Sequence, residues 1–147
     1  MTTSVDVPCA HCHALNRVPD ARISEGPRCG RCKEALFKGH PLELTTANFD
    51  ALGARGDVPV VVDFWAPWCG PCVGFAPVFA KAASQWEPRA RLAKLDTEAQ
   101  PQLAQRFNIR SIPTLIVLRR GREIARQSGA LSAAQLQQFI EGALARG

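Results

Sequence analysis

No stretch of this 147-residue sequence approaches the ~20 consecutive apolar residues that cross a bilayer, which excludes a helical membrane protein. Residues 1–10 have neither the basic nor the apolar stretch of a secretory leader, so the expected location is cytoplasmic. Low-complexity tracts are missing, and so are internal repeats apart from two early cysteine pairs; a collagen-like fibre is excluded. Nor does one sign of charge dominate. Lys and Arg number 18 against 13 Asp and Glu, and the excess of +5 divides as +2 over residues 1–40 and +3 over residues 41–147. Without a dense basic block, a nucleic-acid partner is not expected. Apolar side chains are also scarce in residues 1–40, too few for a self-sufficient core, so that part needs a staple.

What is present is 46% hydrophobic and 21% charged residues, room for one ordinary domain with a small appendage. The texture changes near Gly39-His40-Pro41 and divides residues 1–40 from residues 41–147. Beyond that point strand-like and helix-like segments alternate. Residues 41–44 read as a short strand, and Thr45 or Thr46 as the cap of a helix carrying Phe49 and Leu52. Residues 58–66 form a nearly continuous apolar run of the kind buried on both faces. Gly70–Trp86 reads as a helix with Pro71 in its first turn and Pro77 inside it, turning Ala76, Phe79, Ala80 and Ala83 to the core. Arg91–Asp96 follows as a second buried strand, and residues 97–107 as a short helix. Residues 114–118 and 123–128 read as a hairpin turning at Gly121, and Ser132-x-x-Gln135 opens a last helix as a capping box. The alternation predicts an α/β fold whose sheet is covered on both faces.

All six cysteines fall into three Cys-x-x-Cys pairs, Cys9/Cys12, Cys29/Cys32 and Cys69/Cys72. Without a leader, metal binding or redox chemistry is a better reading than a framework of structural disulfides. The first two pairs are sixteen residues apart, the spacing of a four-cysteine zinc ribbon that would hold one structural Zn²⁺ and supply the missing staple. Gly30 would give the second turn its backbone freedom. His11 and His13 flank Cys12 and could ligate instead, but a place in solvent or just outside the ligands is the better reading, because the cysteines already fill the metal's shell. A redox relay or a disulfide pair is the competing reading of this segment.

Cys69-Gly70-Pro71-Cys72 has a different setting. It follows a buried strand and opens a helix, so Cys69 lies where unpaired N–H groups and the macrodipole favour a thiolate. The spacing brings Cys72 beside it, so a mixed disulfide on Cys69 can be resolved. Gly70 permits close backbone approach, and Pro71 suits the first helical position. A metal knuckle or a structural disulfide are the alternatives, although a proline is awkward in a knuckle that needs free N–H groups. Asp63 interrupts the preceding apolar strand. It is either an exposed edge residue or a buried carboxyl of raised pKa, placed to take the Cys72 proton.

Val62-Asp63-Phe64-Trp65-Ala66-Pro67-Trp68-Cys69-Gly70-Pro71-Cys72 resembles the active-site stretch of the thioredoxin family. Phe75-Ala76-Pro77, Ala93-Lys94-Leu95-Asp96, Ile112-Pro113-Thr114 and Gly129-Ala130-Leu131 extend that likeness over residues 41–147. The resemblance implies a thioredoxin fold, a central mixed β-sheet with helices on both faces, preceded by a small zinc-ribbon-like module. It implies a protein-disulfide reductase with Cys69 as nucleophile and Cys72 as resolving cysteine. Asp63 would transfer a proton, and Lys94 would be its partner, unless Lys94 simply reaches the surface. Pro113 would be a cis-proline facing the dithiol, with the Ile112 backbone pairing with an extended substrate segment. Trp68, Gly70, Pro71, Gly129 and Ala130 would complete the substrate surface. Val73 is a departure, because the family usually carries Lys or Arg there.

Asn16-Arg17-Val18-Pro19, Cys29-Gly30-Arg31-Cys32 and Leu36-Phe37 carry the likeness into the N-terminus. The whole layout resembles the two-part, zinc-binding bacterial thioredoxins of the thioredoxin 2 type. The family implies disulfide-containing protein substrates, recycling by an NADPH-dependent thioredoxin reductase, no bound organic cofactor, no membrane association and a monomer. Three rivals fit the same residues: a zinc-ribbon binding module on an inert scaffold, a switch that releases zinc on oxidation, and an oxidase or isomerase acting outside the cytosol.

Overall fold

Two sheets organise the computed structural model, which describes residues 3–146. The first is an antiparallel hairpin of β1 (Ser4–Pro8) and β2 (Leu15–Pro19). Hydrophobic patterning alone does not reveal this hairpin, because only Val7, Pro8 and Val18 of its residues are buried. The two valines gather with Cys9, Cys29, Leu36 and Val58 into a small cluster of their own.

The second sheet has five strands in the order β3 (Leu42–Glu43), β5 (Arg91–Asp96), β4 (Val60–Trp65), β6 (Thr114–Arg119) and β7 (Arg122–Ser128). The β3–β5 and β4–β5 pairs are parallel, while β4–β6 and β6–β7 are antiparallel. Strand alternation divides the core. Val61, Leu92, Leu115 and Val117 face α1 (Gly70–Trp86) and α3 (Ala133–Arg146). Val60, Val62, Phe64, Ala93, Leu95, Ile116 and Leu118 face Phe49, Leu52 and the short α2 (Pro101–Arg106) with its flanking Phe107. The result is the α/β architecture that the sequence predicts, a central mixed sheet covered on both faces.

The bounds of α1 and β5 agree with the sequence reading; several others shift for local reasons. β4 starts at Val60 rather than 58, since Pro59 has no N–H for a ladder. The first helix is a single wide π-helical turn, Phe49–Ala54, with Asn48 and not Thr45 or Thr46 at its N-cap; Thr45 exchanges hydrogen bonds with Asn48 in the turn that leads into it. α2 starts at Pro101 rather than 97. Asp96 Oδ1 takes the N–H groups of Glu98 and Ala99 into a turn, and a proline opens a helix more readily than it continues one. On α1 the buried stripe is Cys72, Phe75, Phe79, Ala82, Ala83 and Trp86; Ala76 is only half-buried and Ala80 is exposed. The hairpin turns through Arg120 and Gly121, both at positive φ (51° and 81°), which matches the twist of its strands. Ser132 and Gln135 form the reciprocal capping box at the start of α3.

Candidate active site and metal centre

β4 carries the chain through the middle of the sheet and delivers Cys69 to the start of α1. Cys69 is the N-cap: its sulfur accepts the N–H of Cys72 at 3.2 Å, and its carbonyl accepts that of Val73 at 3.0 Å. Cys69 and Cys72 are joined by a disulfide, with Cα atoms 5.2 Å apart. Both are buried beside Ala66, with Trp65 and Ile112 packed against them. Among the described residues no third ligand gathers at this pair to make a metal knuckle, and it shares no metal with the other four cysteines. Those lie at the Val60/Arg91 end of β4 and β5, and the dithiol lies beyond the Trp65 end, roughly 17 Å of strand away.

Around the dithiol the surface is mostly apolar. Trp68 is 69% exposed, with its indole N–H on Glu98 Oε1 at 2.8 Å, and Val73 is exposed on the next turn. Gly70, Pro71, Gly129 and Ala130 are exposed as well. Pro113 is buried, its peptide bond with Ile112 is cis, and its carbonyl accepts the N–H of Gly129 at 2.8 Å. The Ile112 carbonyl oxygen lies 3.8 Å from Cys69 Sγ. A second cis bond, Glu87–Pro88, lies away from this site and has no signal in the sequence.

Asp63 is fully buried, so the exposed-edge alternative falls. Alternation along β4 sends it to the α1 face, between Val61 and Trp65. Neither carboxylate oxygen has a hydrogen-bond partner among the described residues. Burial, opposed only partly by the positive charge of Lys94, pushes its carboxyl up to about 7. Lys94 is the register neighbour of Asp63 across the β4–β5 pair. Its ammonium sits over the Trp65 ring, 4.0 Å from the centroid, and makes no ion pair with Asp63.

The four N-terminal cysteines form two turns of one design. Cys9 N–H donates to Ala14 and His13 N–H to the Cys9 carbonyl; Cys29 N–H donates to Glu34 and Lys33 N–H to the Cys29 carbonyl. His13 and Lys33 occupy matching positions at φ 66° and 69°, so the left-handed residue is there and not at Gly30. Backbone N–H groups at His11 and Cys12 aim at Cys9 Sγ, and that at Arg31 aims at Cys29 Sγ. Donation from the Cys32 backbone and the Asn16 amide pulls the Cys29 thiol down to about 6. All four sulfurs lie within 4.8 Å of one another, with Cys9–Cys32 and Cys12–Cys29 both at 3.6 Å. A tetrahedron with metal–sulfur bonds of ~2.3 Å has edges of about 3.8 Å, so the cluster fits a tetrathiolate metal ion. His11 and His13 are exposed and outside it.

A dithiol on a helix N-cap, a buried carboxyl on the strand beneath and a mostly apolar rim define a thiol–disulfide oxidoreductase. Residues 40–142 match the family profile described as Thioredoxin, and residues 8–34 the profile described as Thioredoxin 2, N-terminal. Thioredoxin C-3 of Corynebacterium nephridii is 47% identical over 133 residues, 90% of this chain and 91% of that protein. Thioredoxin 1 of a Nostoc species is 41% identical over 99 residues, 67% of this chain and 92% of that protein. The chain belongs to the thioredoxin family, and its N-terminus carries the zinc-ribbon cysteines of the thioredoxin 2 type.

Proposed function

We propose that this protein reduces disulfides in other proteins, with the Cys69–Cys72 pair as its electron store. The observation that carries the reading is the placement of Cys69: N-cap of α1, sulfur bonded to the Cys72 N–H, beside an exposed apolar rim. Cys69 attacks the substrate disulfide as a thiolate and forms a mixed disulfide, releasing one substrate sulfur. Cys72, losing its proton to Asp63 directly or through water, attacks Cys69 and releases the second. Lys94 lowers the cost of the Asp63 carboxylate through its charge and holds Trp65 in place. Trp68, Gly70, Pro71, Ile112, Pro113, Gly129 and Ala130 receive an extended substrate segment. The Ile112 N–H, which has no partner among the described residues, is free to pair with its backbone.

The N-terminal cysteines Cys9, Cys12, Cys29 and Cys32 hold one Zn²⁺ per chain, as the family and their packing support. The ion is structural, because four protein thiolates leave no open position. The division into a metal module (1–40) and a thioredoxin domain (41–147), a monomeric state, a cytoplasmic location and recycling by an NADPH-dependent thioredoxin reductase complete the proposal.

The test is a pair of variants. Cys72→Ser should accumulate a mixed disulfide between Cys69 and a disulfide-bonded protein substrate, seen as a thiol-reversible band. Cys69→Ser should give no band and no catalysed reduction with dithiothreitol as donor. Full reductase activity in Cys69→Ser would refute the assignment, whereas full biological activity without reductase activity in that variant would revive the binding-module reading.

A further inference from the structure

We propose that Arg91 is the internal counter-cation of the metal–thiolate centre and ties metal retention to the thioredoxin sheet. The inference rests on the zinc reading above. Arg91 is the first residue of β5 and is 1% exposed. Its guanidinium leaves the sheet and enters the N-terminal segment. There Nη1 donates to the Pro8 carbonyl at 2.7 Å and Nη2 to the Leu36 carbonyl at 3.1 Å, with the Phe37 ring centroid 5.4 Å away. Pro8 immediately precedes Cys9, and Leu36 packs in the same cluster as Cys9 and Cys29.

A buried guanidinium normally sits on a carboxylate. Among the described residues Arg91 has none within 4.0 Å. Glu87 and Cys9 are the two negative influences on it, Glu87 the larger, but Glu87 makes no ion pair with Arg91 and spends Oε1 on the Gly39 N–H at 2.8 Å. Burial pulls Arg91 down to about 10, which leaves it a cation at neutral pH. The further negative charge is supplied by chemistry next door. Four thiolates around a divalent ion carry a net charge of two minus, and Cys9 is one of the four. The other cations near the cysteines, Arg28, Arg31, Lys33 and Lys38, all reach water, and Lys38 is paired with Glu34. Water screens them; it does not screen Arg91. Outer-shell groups that hydrogen-bond a metal's ligands typically carry 10- to 100-fold in metal affinity, and Arg91 acts from one residue away, through the Pro8 carbonyl beside Cys9.

The experiment uses the full-length, metal-loaded protein, its Arg91→Met and Arg91→Lys variants, and a chromophoric zinc chelator. Arg91→Met should carry one zinc as isolated and lose it at least ten-fold faster than the unsubstituted chain. Arg91→Lys, which keeps the cation, should fall between them. Stripping zinc should lower the thermal midpoint of the unsubstituted chain by more than that of Arg91→Met, a coupling that simple loss of packing does not produce. Equal release rates in all three proteins overturn the proposal. If Arg91→Met fails to fold, the unsubstituted chain decides. Its Arg91 Nη–H nuclear magnetic resonance signals should be protected from exchange with zinc bound and lose protection when it is removed. Protection that ignores zinc overturns the proposal. An unsubstituted chain that neither contains nor takes up zinc overturns the zinc reading itself, and the proposal with it.

Discussion

Replacing Asp63 should stabilise the oxidised protein at pH 8 relative to pH 4. The carboxyl is fully buried without a hydrogen-bond partner, and its pKa rises to about 7 from the usual ~3.9. Between those two values the folded state keeps a proton that the unfolded state has released. Stability therefore falls as pH rises through this window, by ~1.4 kcal/mol per pH unit, and the fall is complete above the folded value. Three units give about 4 kcal/mol, absent below pH ~4 and fully expressed at pH 8. The Asp63→Asn side chain does not titrate but leaves an amide unpaired, at about 1–3 kcal/mol at every pH. Asp63→Ala leaves a cavity instead, also independent of pH. The quantity to measure is the difference in urea unfolding free energy between the unsubstituted chain and Asp63→Asn or Asp63→Ala, from pH 4 to 8. Both proteins must be oxidised and zinc-replete, so that the metal site's own acid sensitivity cancels. The variants should gain roughly 4 kcal/mol on the unsubstituted chain across that range. A difference that is flat in pH would refute the raised carboxyl. The same variants should resolve mixed disulfides more slowly at pH 7, because Cys72 loses its proton acceptor.

Phe79 is fully buried among α1, α3 and the sheet, so Phe79→Ala should cost about 3–5 kcal/mol in chemical denaturation. Gly56 lies at φ +93°, and a Cβ there would come within 2.6 Å of Pro8 Cδ and 2.9 Å of the Asp6 carbonyl oxygen. Gly56→Ala should therefore disturb the joint between β1 and the sheet. It should cost roughly 1–3 kcal/mol and increase protease cleavage within the first forty residues, with the dithiol still reactive. Ser132→Ala removes the acceptor for the Gln135 N–H and should cost about 1 kcal/mol, read as a lower thermal midpoint.

Local signals are legible in the sequence, and long-range ones are not. The strand–Cys-Gly-Pro-Cys–helix order, both ends of α1 and the Ser132 capping box each depend on a few neighbouring residues, and all three are as expected. The four-cysteine cluster is legible because two short turns need only the right spacing. Pattern fails where a decisive partner is distant. Arg91 reads as an ordinary strand start, and nothing nearby announces the Pro8 and Leu36 carbonyls that it binds. Lys94 lies beside Asp63 in register, but only the folded chain shows that Trp65 takes its ammonium. The choice of His13 and Lys33 for the left-handed positions is invisible in the sequence because neither is glycine.

The distance between the two sulfur centres has a chemical consequence. Disulfide exchange requires a thiolate to touch the sulfur it attacks, and a sulfur–sulfur bond is only ~2 Å long. With most of a β-strand between them, no cysteine of the N-terminal turns can reach a substrate held on Cys69. A captured partner therefore leaves through Cys72, through reversal by its own freed thiol or through a thiol arriving from solution, never through the N-terminal cysteines. The insulation works in the other direction as well. If an oxidant strips the metal and couples Cys9, Cys12, Cys29 or Cys32, the molecule's own dithiol is too far away to mend the damage. Repair must come from outside the molecule, from a second chain or another thiol.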